Sequence, residues 1–68
     1  MIADLKAGDI IVVKDSSRPG ETERLARVVK VMSHASELLV ELKRTGSDYF
    51  GVSRIVDISD VVRVEARL

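Results

Sequence analysis

Apolar and polar positions along this chain fall into short blocks separated by turn-forming residues. The first block, Ile10-Ile11-Val12-Val13, follows Gly8-Asp9 and is apolar at every position. Gly-Asp reads as a turn, so a strand is predicted over about residues 9 to 14. Both alternating sets, Ile10/Val12 and Ile11/Val13, are apolar, which fits a strand covered on both faces. Residues 15 to 23 are polar, and Pro19-Gly20 suits the centre of a type II turn. The last block alternates: Val62, Val64, Ala66 and Leu68 against Val61, Arg63, Glu65 and Arg67, a strand with one mostly charged face.

The middle of the chain has two readings. In residues 24 to 32, Ala26/Val28 and Val29/Val31 fall in opposite period-two registers, which a β-bulge near Val28-Val29 would reconcile. At helical spacing, Leu25, Val28, Val29 and Met32 line one face, with Thr22 as a cap. The crowding of β-branched Val28, Val29 and Val31 favours the strand. Residues 38 to 43 read as a strand with Leu38, Val40 and Leu42 inward, Glu41 and Lys43 outward, and Leu39 as the exception. A helix from Ser36 to Arg44-Thr45-Gly46 competes there. Tyr49 to Val52 and Ile55 to Ile58 supply further strand content before a turn at Ser59-Asp60.

These blocks predict one all-β domain over residues 1–68 with five short strands. The alternative is an α/β fold with helices near 22–34 and 36–45. The order of pieces resembles an SH3-like barrel: an opening Gly-Asp strand, a long polar first loop, two central strands, and a last strand returning to the first. That resemblance implies a small closed barrel, an architecture that hosts nucleic-acid, peptide and subunit contacts alike.

Composition narrows the function classes. In 68 residues without cysteine, no disulfide or thiolate metal site can reinforce a small core, so tight aliphatic packing or oligomerisation is expected to do so. Eleven basic and eleven acidic side chains cancel, where a nucleic-acid binder usually carries a basic surplus. The opening residues do not read as a signal peptide, and no apolar run reaches membrane-spanning length, so a cytoplasmic location is expected.

Chemistry-bearing motifs are sparse. His34 is the only histidine and no ligand set accompanies it, so it reads as a surface turn residue; neither a metal nor a cofactor is expected. The aspartates and serines sit mostly beside turns, where their side chains bond local amides, and no nucleophile elbow or phosphate-cradling loop is present, so no enzymatic activity is expected. An active site shared between subunits is the remaining catalytic reading.

Two binding readings stand. The favoured one is an interaction module, self-associating or contacting a protein partner. Its surface would be the apolar residues left over once one core face is assigned: Ile10, Val12, Leu39 and Val61. The alternative is nucleic-acid binding through Lys14, Arg18, Arg24, Arg27 and Lys30, with Tyr49 as a stacking platform. It requires Arg24, Arg27 and Lys30 to meet on one positive surface.

Overall fold

The structure, a computed structural model, describes residues 5–15, 20, 22–32, 36–44, 46 and 48–68. Five strands form one sheet: β1 (Ile10–Lys14), β2 (Glu23–Val31), β3 (Glu37–Lys43), β4 (Phe50–Asp57) and β5 (Val61–Ala66). A 3-10 turn, Ile58–Asp60, separates the last two. Strand order is β4-β3-β2-β1-β5, and every neighbouring pair is antiparallel.

The predicted barrel does not close. β4 and β5 lie at opposite ends of the strand order, so each is an edge, and the SH3-like closed barrel is replaced by an open, curled sheet. The α/β alternative fails as well. The segments proposed as helices near 22–34 and 36–45 are β2 and β3, paired from Ala26↔Leu42 to Val31↔Leu38. The physical reason is visible in the pairing. Period-two placement buries Ala26 and Val28 on β2 against Leu42 and Val40 on β3, which helical spacing would have scattered.

One face of the sheet is the core. Ile11, Val13, Ala26, Val28, Leu38, Val40, Leu42, Val56 and Val61 form a single buried cluster, with Leu5 and Val64 packed against it. Each fully buried aliphatic side chain contributes roughly 1.5–3 kcal/mol.

Bulges decide which residues reach that face. The register shifts between Val28 and Lys30, at the place where the two apolar sets of β2 change phase. Two more shifts separate β1 from β5. They bring both Val61 and Val64 opposite core residues, Val13 and Ile11, and so break the simple alternation expected of the last strand.

The Gly8-Asp9 turn anchors the opening strand. The Gly8 amide donates to the Val28 carbonyl at 2.8 Å, and the Val28 amide donates to the Asp9 carbonyl at 2.9 Å. Gly8 has φ +97°, and a Cβ placed there would lie 2.6 Å from Leu68 Cδ2. Both facts call for glycine.

Candidate functional site

The outer face, opposite the core, is a mixed-charge surface. The pairings place Lys14, Arg27, Lys30, Lys43 and Arg63 there among Glu23, Glu37, Glu41 and Asp57. Arg27 donates to Glu41 at 2.7 Å, and its guanidinium lies 5.4 Å from the Phe50 ring centroid. Arg63 donates to Glu65 at 2.6 Å and approaches Glu23 at 3.6 Å. Glu65 holds the Arg63 guanidinium above its ordinary value, chiefly through that hydrogen bond.

The positive surface required for nucleic-acid binding does not form. Arg24 stands opposite core residue Val13, on the inner face, and pairs with Asp15 at 3.4 Å. Arg27 and Lys30 stand opposite Glu41 and Leu39 on the outer face. The β2 bulge reunites Arg27 with Lys30 and leaves Arg24 behind. Lys14 is exposed at the far end of the outer face, and Arg18 lies outside the described residues, as does His34. Tyr49 is 61 % exposed and packs over Gly51.

The apolar residues proposed as a partner surface are also dispersed. Val61 belongs to the core. Val12 is on the outer face but only 4 % exposed, flanked by Leu25 and Arg63. It floors a groove of about 270 Å³ that Glu23, Arg24, Leu25, Arg63 and Glu65 complete. The chain therefore covers its second apolar face here with its own ion pairs. Ile10 is half-buried between Arg27 and Ala66. Leu39 is half-buried between Lys30 and Ile55. Leu39 adjoins a large exposed apolar side chain, for Ile55 is 54 % exposed.

Two buried carboxylates hold the ends of β1. Asp9 is fully buried and accepts from the Leu68 amide at 3.0 Å and the Lys6 amide at 3.1 Å, with the Arg67 guanidinium 3.9 Å away. The Leu68 amide, foremost, holds its carboxyl below the usual carboxylate range against the opposing effect of burial. Asp15 is buried at the other end, with Arg24 and Arg54 each at 3.4 Å. Arg54 belongs to β4, three strand spacings from β1, about 14 Å in a flat sheet. The ion pair therefore spans a sheet that is strongly curled but still open.

The β4 edge is the most exposed element. Residues Gly51 to Ile55 are all exposed, and only β3 pairs with this strand. Val52 stands opposite core residue Leu42, and Ile55 stands opposite Leu39, so the edge presents one aliphatic side chain on each face. Asp57 ends the strand by accepting from the Ser59 amide at 2.9 Å, which, with the Ser59 hydroxyl, holds its carboxyl below the usual range.

Sequence reasoning missed Asp9, Asp15, Arg54, Val52 and Ile55. The adjacent apolar pair Ile55-Val56 was a signal for an edge with both faces occupied. Nothing local marks Asp15, whose partner Arg54 is 39 positions away. Among the described residues, no group of three or more histidine, cysteine, aspartate or glutamate side chains could hold a metal ion. No helix of the described residues is long and apolar enough to cross a membrane. No protein-family model, curated protein or solved structure matches the chain.

The barrel-based interaction module, with its nucleic-acid and shared-active-site alternatives, is thus not the arrangement found. The sheet is open, the three cations are split between faces, and no catalytic or binding motif emerges among the described residues.

Proposed function

We propose that this chain is a non-catalytic protein-binding sheet that takes an extended segment of a protein partner onto its β4 edge. The carrying observation is the edge itself: eight residues, Phe50–Asp57, paired on one side only, exposed from Gly51 to Ile55. An edge strand offers a row of backbone donors and acceptors to an incoming strand, and alternate side chains give the contact its selectivity. β4 carries only Arg54 and Asp57 as charges, has no proline and keeps a regular register from Val52 to Asp57, so it is lightly guarded against pairing. Val52 and Ile55 supply apolar contact on either face. The buried carboxylates Asp9 and Asp15 are both engaged in holding the sheet together, which supports a binding role over a catalytic one.

Titration of isotope-labelled protein with a pool of octapeptides, apolar at alternate positions, tests the reading. Backbone amide shifts centred on residues 50–57 are expected. Shifts confined to other strands, or none at saturating peptide, would exclude the β4 edge as the binding surface.

A further inference from the structure

We infer that the segment taken onto β4 is the β4 strand of a second copy of this chain, running antiparallel and centred on Ile55. This rests on the edge reading above and adds the identity of the occupant.

The charge flanking β4 is polarised. At its start, Lys43 stands opposite Phe50, and Arg44 follows, its amide donating to the Tyr49 carbonyl at 2.8 Å; Asp48 in the same turn offsets one of these charges. At its end, Glu37 stands opposite Asp57, and Asp60 lies just beyond. The strand thus runs from a net positive to a negative flank. An antiparallel copy sets each positive end against the other's negative end. A parallel copy would set like against like, which is unfavourable. An antiparallel contact is also self-complementary under two-fold symmetry, the commonest arrangement of homodimers.

The register follows from the faces. In a continuous antiparallel sheet, directly opposed side chains share a face. Centring on Arg54 would oppose two guanidiniums. Centring on Ser53 would run the pairing through the Gly51 irregularity, where the register with β3 already shifts between Leu42 and Lys43. Centring on Ile55 avoids both. It opposes Ile55 to its copy, Arg54 to Val56 and Ser53 to Asp57, using regular strand alone. Leu39 then continues the outer apolar strip behind each Ile55.

Sedimentation of the full chain at about 0.5 mM reads the association, since a contact in the millimolar range is already populated there. Dimer is expected, and Ile55→Lys should weaken it about tenfold or more by opposing two ammonium groups. The chain has no cysteine, so Ile55→Cys introduces a single thiol that reports its own neighbours without perturbing the edge charge. Directly opposed strand residues lie within disulfide range, so this variant should oxidise to a covalent dimer faster than Val31→Cys on β2. A strict monomer would overturn the inference; the peptide titration then decides separately whether the edge binds a foreign segment. A dimer indifferent to Ile55→Lys, with both cysteine variants cross-linking alike, would overturn it too, by placing the contact elsewhere.

Discussion

The two edges of this sheet are built differently. β5 meets β1 through two register shifts, carries Arg63 and Glu65 in an ion-pair lattice, and is followed by Arg67 and Leu68, both drawn to Asp9. β4 meets β3 in regular register from Val52 to Asp57 and exposes Val52 and Ile55. Beyond β3 it is tied by Arg54 to Asp15 and, at its start, by the Arg27 guanidinium over the Phe50 ring. Bulges and charges are among the means by which proteins guard an edge against unwanted pairing. β5 has both. β4 has a regular ladder from Val52 to Asp57, two charges and exposed apolar side chains. The contrast teaches that a lightly guarded edge in a small open sheet is the natural place to look for a partner, and that the apolar count of a strand is a poor guide to it. β1 is the most apolar strand, yet its second face is covered within the chain.

Breaking the Asp15 tie should have the largest effect. Asp15→Ala leaves the nearly buried Arg24 without its carboxylate and releases β4 from β1. A loss of about 3 kcal/mol is expected, measured by urea unfolding. A chain of this length has roughly 3–10 kcal/mol in total, so the variant should lose about a third of its stability or more. Unchanged stability would mean that the curl of the sheet does not depend on this pair.

At the guarded edge, Gly8→Ala should cost about 1–2 kcal/mol, because alanine is strained at positive φ and its methyl displaces Leu68. Amide exchange should rise at residues 61–68 and stay unchanged in β4. Equal exchange at both edges would erase the comparison.

The Asp9 staple sets an acid limit. Its folded carboxyl titrates below the unfolded value of about 3.9, so its contribution is complete above that pH and disappears as pH falls toward the folded value. Thermal melts from pH 6 down to 2 should show the melting temperature falling below about pH 4. Asp9→Asn should start lower at pH 6 and lose part of that acid slope. An identical slope in the variant would remove Asp9 from the account.

The smallest effect belongs to Arg27. Its partner Glu41 is partly exposed and its ring contact with Phe50 lies at the surface, so Arg27→Ala should cost under about 1 kcal/mol, less at high salt.

Much of the strand content was legible from local pattern. The phase change at Val28-Val29 announced a bulge, and the alternation of Leu38, Val40 and Leu42 announced a core strand. Leu39, the one residue that broke that alternation, does stand beside exposed Ile55. Less legible was the last strand, because its two bulges bring Val61 and Val64 inward together. The candidate site was mostly hidden. Ile10, Val12, Leu39 and Val61 look alike as surplus apolar residues, but Arg63 and its carboxylates cover one of them and the core takes another.

By itself, then, the amino-acid order determined strand positions, the phase change in β2 and the glycine turn, since these follow from side-chain alternation and backbone freedom over a few residues. The open, curled form of the sheet, the covering of β1 and the exposure of β4 were decided only by tertiary structure. They depend on contacts such as Arg54 with Asp15 and Leu68 with Asp9, between positions far apart in the chain, and no local periodicity encodes which distant side chains will meet.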